Sequence, residues 1–176
     1  GQARSFVISF TPDDLFAPTL VALRFECVNK NAAPVVQGVN TLLLSASETP
    51  VPDIVAIAAT AGGIPGVVDI TGASGSAAFV VATVNVGAGG DMTTSVDTVG
   101  LPLSATVCET DPQTSLCMDT PDTTATSQIG PGATLAFAIF LAADGIVPFD
   151  PAQNRVFVYF KDSDGIDRGS TSVAVR

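Results

Sequence analysis

Few residues in this chain have the types and spacing to carry chemistry. Asp162, Asp164 and Asp167 recur through Asp162-Ser163-Asp164-Gly165-Ile166-Asp167. Alternate carboxylates followed by a glycine can present oxygens to Ca²⁺, although no Glu stands near the twelfth position that an EF-hand loop requires. Asp-Gly between two strand-like runs is equally a hairpin signal. A Ca²⁺ loop and a plain turn both stay open at this point. Cys108 and Cys117 flank the segment CETDPQTSLC, whose Asp111-Pro112 reads as a turn. The expectation is a hairpin closed by a Cys108–Cys117 disulfide in an oxidising compartment, the alternative being two free thiols in a reducing one. Zinc is disfavoured because the chain has 3 Cys and no His. Cys27 is the odd cysteine, either a buried thiol or one paired outside this chain.

Catalysis has little to draw on. Without His, the commonest general base and the usual serine and cysteine triads are missing. Cys27 falls on the core side of its expected strand, where a thiol is inert. Paired carboxylates could hydrolyse glycosides, but Asp13, Asp14, Asp111, Asp119, Asp122, Asp144 and Asp150 sit at turns. Turn aspartates ordinarily accept hydrogen bonds from their own backbone. Gly87-Ala88-Gly89-Gly90 lacks the Lys and the strand-to-helix setting of a phosphate loop, and reads as a β-turn. Sugar-binding sandwiches expose rows of Trp or Tyr. Here Trp is absent, Tyr159 is the single Tyr, and the 10 Phe fall largely at strand positions. The expectation is a protein that is not an enzyme, with no catalytic residues and no cofactor unless Ca²⁺ binds.

The elements that would hold these residues are strands. Val, Thr, Ile and Phe suit a pleated, half-buried surface, and Gly and Pro punctuate the chain. With 47% apolar residues the 176-residue chain can build a core. Lys plus Arg is 7 and Asp plus Glu is 17, a net charge of −10. Such a surface repels phosphate backbones and anionic headgroups, which argues against nucleic acid and peripheral membrane partners. The most apolar run, Leu135 to Ala143, stops at Asp144 and is about half the length a bilayer requires. The chain opens on Gly1 rather than Met, which suggests an N-terminus that was processed or truncated.

Period-2 alternation recurs along the sequence. Phe6, Ile8 and Phe10 share one face of an expected strand, and Leu23, Phe25 and Cys27 share one face of another. Val156, Val158 and Phe160 oppose Phe157 and Tyr159, so that strand should be buried on both sides. Further strands are expected over Thr41–Ser47, Asp53–Ala58, Val67–Thr71, Ala77–Val86, Met92–Thr98, Leu103–Glu109, Thr124–Ile129 and Thr134–Ala142. The best helix candidate, Pro12–Phe16, is at most one turn. Short, regularly spaced strands with turns between them indicate a sandwich or barrel.

The start of the chain also resembles its end. GQARSFVISF aligns with GATLAFAIFL, VALRFECVN with VFVYFKDSD, and GVNTLLLS with GSTSVAVR, at offsets of 131 to 135. Phe6 then matches Phe137, Val21 matches Val156, Phe25 matches Phe160 and Gly38 matches Gly169. The domain reading follows. Residues 1–47 are the C-terminal three strands of a partial Ig-like unit, 48–53 a Pro-containing linker, and 54–176 a complete Ig-like β-sandwich. On this reading the chain opens in mid-domain. Three strands alone are marginal, so the first unit needs strands from elsewhere.

With SFVISFTP and NTLLLSAS in the first unit and IGPGATLAFAIF in the second, the chain resembles bacterial Ig-like (ASH-like) repeat domains of secreted proteins. The stretch VPFDPAQNRVFVYFKDSDGIDRGSTSVAVR is similar to the terminal strands of domains from large exported proteobacterial proteins. The resemblance implies an all-β Ig-like sandwich, export and tandem repetition. It implies no catalytic residues. The expected role is a structural or assembly module of a filament, surface layer or adhesin stalk, outside the cell or on its surface. Its partners would be other subunits or copies of itself, paired by strand addition through Ser5, Phe6, Val7, Ile8, Leu42, Leu43 and Leu44. The alternatives are a ligand-binding module of a larger secreted protein, Ca²⁺-dependent or not, and an auxiliary subunit of an envelope complex, with the periplasm a further location.

Overall fold

The computed structural model describes residues 5–26 and 28–176, and every strand in it lies where alternation or β-branched runs favour an extended chain. A hairpin of β1 (Phe16–Ala22) and β2 (Thr41–Ala46) comes first and stands as a two-stranded sheet. The remaining strands are β3 (Ile54–Thr60), β4 (Val67–Val68), β5 (Ser76–Asn85), β6 (Gly90–Asp97), β7 (Leu103–Glu109), β8 (Thr124–Ile129), β9 (Thr134–Ala143), β10 (Arg155–Asp162) and β11 (Asp167–Val175). They form a four-stranded sheet in the order β3-β5-β9-β7 and a five-stranded sheet in the order β4-β11-β10-β6-β8. All pairings are antiparallel except the short parallel contact of β4 with β11. Between β6 and β9 the chain changes sheet at every connection, which stitches the two layers together.

The core lies between these sheets. Phe79 and Val81 of β5, with Phe137, Ile139 and Leu141 of β9, meet Met92 of β6, Val156, Val158 and Phe160 of β10, and Val173 and Val175 of β11. The Phe137 and Phe160 rings join the layers at 5.6 Å with a 56° tilt, a favourable geometry for aromatic pairs. At the corner where the sheets approach, β11 presses on β3. A Cβ added to Gly169 would lie 2.2 Å from the Ile54 carbonyl oxygen, so only glycine fits there.

The all-β expectation holds, and the strands expected from Thr41 onward occur within a few residues of their expected bounds, the longest disagreement being β4, which is only two residues. Two expectations before Thr41 are corrected. Ser5–Phe10 forms no strand, so two strands rather than three occupy this region. Leu23 and Phe25 fall just beyond β1, which runs earlier because Phe16–Ala22 is the run that meets β2. Pro12–Phe16, expected to make at most one helical turn, makes none: Asp13 and Asp14 bend the chain and Phe16 already begins β1. Cys27 lies outside the described residues.

Candidate functional site

Residues 5–26 and 28–50 contribute no apolar side chain to the buried core, which begins at Ile54. The alternating Phe6, Val7 and Ile8 are instead 74%, 97% and 52% exposed. Ser5, Phe6, Val7 and Ile8 therefore form an exposed segment that pairs with no strand among the described residues. Leu42, Leu43 and Leu44 lie in β2, opposite Val21, Leu20 and Thr19 of β1. Each strand of this two-stranded sheet has one edge without a strand partner among the described residues. The two groups of residues expected to pair strands are thus both free to do so, and are not paired with each other.

The turn before β2 seats the hairpin on the sandwich. Asn40 organises it: its Oδ1 accepts from the Val36 N–H at 2.6 Å, and its Nδ2 donates to the Pro34 carbonyl at 3.0 Å. The turn rests on the outer face of β10 and β11. Ser172 Oγ donates to the Gln37 carbonyl at 2.9 Å, and Gln37 Nε2 donates to Tyr159 Oη at 3.3 Å. Gly38 has φ 74° and lies so close that an added Cβ would sit 2.8 Å from Ser172 Oγ. Beneath the turn, the Arg155 guanidinium donates from Nε to Ser172 Oγ at 3.0 Å, from Nη2 to the Ser172 carbonyl at 3.0 Å and from Nη1 to the Pro151 carbonyl at 2.8 Å. Arg155 is 6% exposed, and its burial among neutral oxygens pulls its pKa below the ordinary value. Beside this contact, a cleft of about 460 Å³ separates Ala17, Pro18, Leu20 and Leu43 from Tyr159, Ile166 and Ser170. The hairpin is held by a small polar footing, with little apolar packing.

The second surface is the outer face of the β3-β5-β9-β7 sheet. Alternation points Val55, Ile57 and Ala59 of β3 outward, together with Ala78, Val80, Ala82 and Val84 of β5 and Ala136, Ala138, Phe140 and Ala142 of β9. No charged side chain lies among them, and the only carboxylate in these strands, Glu109, pairs with Phe137 on the inward side and accepts from Ser127 Oγ. The five-stranded sheet is different. Its outer face carries Asp91 and Asp97 on β6 and Arg155 and Lys161 on β10. An antiparallel sheet facing water ordinarily alternates apolar and polar residues. The four-stranded sheet breaks that pattern.

Asp14, Asp111, Asp122 and Asp150 accept hydrogen bonds from nearby backbone N–H groups. Asp111 Oδ1 accepts from the N–H groups of Gln113 and Thr114 at 2.9 and 2.8 Å. Bonds from Thr114 and Gln113 hold its carboxyl below the ordinary value. Asp150 Oδ1 accepts from Ala152 N–H at 3.2 Å, and Asp14 Oδ1 from Leu15 N–H at 2.8 Å. The disulfide Cys108–Cys117 closes its hairpin with a Cα–Cα distance of 5.6 Å. The bridge Thr110↔Cys117 and the bond from Asp111 N–H to the Leu116 carbonyl, at 2.9 Å, complete the turn.

The three carboxylates considered for Ca²⁺ do not converge. Asp162 Oδ1 accepts from the N–H groups of Asp164 and Ile166, each at 3.0 Å, and its Oδ2 takes Arg168 Nε at 2.6 Å. Burial pushes the Asp162 carboxyl up, but Arg168 and the two N–H donors outweigh it and leave the carboxyl below its ordinary value. Asp167 is committed to Lys161, Nζ to Oδ1 2.6 Å. Among the described residues, no three His, Cys, Asp or Glu side chains gather to hold a metal ion.

Sequence reasoning missed Arg155, Ser172 and Asn85. Nothing local marks Arg155 or Ser172. Asn85 interrupts the apolar strand β5, and a lone amide in such a run is the signal that could have found it. No protein-family model matches the chain, and no curated protein matches it. No described helix is long and apolar enough to cross a membrane.

Proposed function

We propose that this chain is a non-catalytic structural module of an extracellular or cell-surface assembly, built of Ig-like units and joined to its neighbours by strand addition. One observation carries the reading: residues 5–26 and 28–50 hold a hairpin and an exposed apolar segment, yet bury no apolar side chain in a core. Exposed apolar chain of this kind is costly unless a partner covers it. The segment Ser5–Ile8 has no strand partner among the described residues, and the edge of β2 at Leu42–Leu44, likewise without one among them, offers a template for it in a neighbouring copy.

The two hairpins support the repeat. Under the alignment that matches Val21 to Val156 and Leu42 to Val173, the pairs Leu20↔Leu43, Val21↔Leu42 and Ala22↔Thr41 correspond to Arg155↔Ala174, Val156↔Val173 and Phe157↔Ser172. In a complete unit of this kind the segment matching Ser5–Phe10 is β9, a central strand of the opposite sheet. The disulfide at an exposed turn supports an oxidising location.

The test is the native mass of the chain by light scattering, with and without Phe6→Asp and Ile8→Asp. Strand addition requires the unsubstituted chain to associate and the variants to lose that association with their thermal transition unchanged. Association that survives both substitutions rules out strand addition through this segment.

A further inference from the structure

The outer face of the β3-β5-β9-β7 sheet has no counterpart in the strand-addition reading, which uses only the first fifty residues. Its outward residues are paired in an instructive way. In the register of β5 with β9, Ala78 stands beside Phe140, Val80 beside Ala138 and Ala82 beside Ala136. In the first two pairs a bulky side chain on one strand is therefore next to an alanine on the other. The order of sizes reverses between the first two pairs: the large residue is on β9 at Phe140 and on β5 at Val80.

We propose that this face is the contact surface of a two-fold dimer, and that its occupant is the same face of a second copy. A two-fold axis running along the strands between β5 and β9 lays β5 of one copy over β9 of the other. Phe140 then meets Ala78 of the mate, and Val80 meets Ala138. Each large side chain enters the space left by an alanine, as facing layers of a packed core require. A two-fold contact must be self-complementary in this way. Aligned face-to-face packing of sheets is a standard sandwich geometry.

Charge and area favour the same occupant. Each copy carries a net charge of −10, so two copies repel except where they meet through a face without charge. The strands of this sheet are 7 to 10 residues long. At ~4.8 Å between strands and ~3.3 Å per residue, the face measures roughly 500 Å². Two such faces bury on the order of 1,000 Å², about the least that a biological interface should clear. Val80 and Phe140 are 44% and 39% exposed in the single chain, as contact residues of an open face should be.

The experiment is light scattering on the full chain, on Val80→Lys, on Ala138→Asp and on an equimolar mixture of the two variants, all in an Ile8→Asp background that removes strand addition. The parent should have twice the chain mass, and each variant the single-chain mass with the melting temperature of the parent. The mixture should regain the doubled mass, because the introduced lysine of one chain faces the introduced aspartate of the other. Val80→Thr, nearly isosteric, covers the case in which the charged variants unfold, and should raise the dimer dissociation constant several-fold. A parent that is monomeric at every concentration overturns the proposal, whatever the strand-addition experiment shows. So does a dimer that ignores all three substitutions. Binding of a monomeric parent to zwitterionic phosphatidylcholine vesicles, lost in Val80→Lys, overturns it in favour of a lipid surface.

Discussion

Ser172 Oγ donates to the Gln37 carbonyl at 2.9 Å, joining residues 135 positions apart, while accepting from the buried Arg155 Nε at 3.0 Å. One hydroxyl thus seats the N-terminal hairpin and neutralises part of a desolvated guanidinium. Ser172→Ala removes both bonds and leaves a buried charged donor unpaired, an effect of about 1–3 kcal/mol. Denaturant unfolding should show that loss, and limited proteolysis should cut residues 5–50 faster. Gly38→Ala should act in the same direction, because its φ of 74° and its approach to Ser172 both resist a methyl group. Unchanged proteolysis in both variants would mean that the hairpin is seated by other contacts.

Asn85 fastens the segment joining hairpin to sandwich. It is fully buried, and its Oδ1 accepts from the N–H groups of Asp53 and Gly87, each at 3.0 Å. Its Nδ2 donates to the carbonyls of Ala88 and Gly130 at 2.6 and 3.2 Å. The Pro50–Asp53 end of the expected Pro-containing linker, residues 48–53, is thereby pinned to the turn after β5, with Ala88 N–H also bonding the Val51 carbonyl at 2.9 Å. Asn85→Leu removes the partner of the Asp53 and Gly87 N–H groups and of the Ala88 carbonyl, while the Gly130 carbonyl keeps the Ala133 N–H at 3.2 Å, so chemical denaturation should show a loss of about 3 kcal/mol. A loss under 1 kcal/mol would contradict the network.

The Cys108–Cys117 bond closes a loop of sequence separation 9. Reduction, or Cys108→Ser with Cys117→Ser, should lower unfolding stability by about 2.5 kcal/mol through the unfolded chain's regained freedom. The β7 pairing with β9 should survive, because it continues up to Glu109↔Phe137 without the bond. Intact mass spectrometry under denaturing, non-reducing conditions should find this bond in the native protein.

Asp162 predicts a pH dependence. Its folded pKa lies below the ordinary carboxylate value, so ionised Asp162 stabilises the fold above the unfolded pKa of about 3.9. That contribution is lost as pH falls through the folded value. Asp162→Asn should therefore be less stable than the parent at neutral pH, and the gap should close on acidification below about pH 4. Urea melts at neutral pH and at pH 3 measure it. A gap independent of pH would assign the loss to the two N–H bonds alone.

The candidate surfaces were unequally legible in the sequence. Ser5–Ile8 stood out because Phe6, Ile8 and Phe10 alternate, and Leu42–Leu44 because the three leucines fall in a strand of the expected partial unit; only the second lies in a strand. The uncharged strands Ile54–Thr60, Ser76–Asn85 and Thr134–Ala143 carried a signal that can be read afterwards, since runs apolar on both faces belong to sheets covered on both sides. Turn aspartates such as Asp111 and Asp162 were also readable, because they bond within four residues of themselves.

By itself, the sequence determined what short range controls: where strands run from β2 onward, and which cysteines lie close enough to join. Only the tertiary structure decided that Ser5–Phe10 stays unpaired, that β1 begins at Phe16, that β6 to β9 alternate between sheets, and that Arg155, Ser172 and Gln37 meet. The reason is physical. Alternation and turn chemistry are set by neighbours a few residues away, whereas strand partnership and buried polar contacts are settled by which distant surfaces exclude water together.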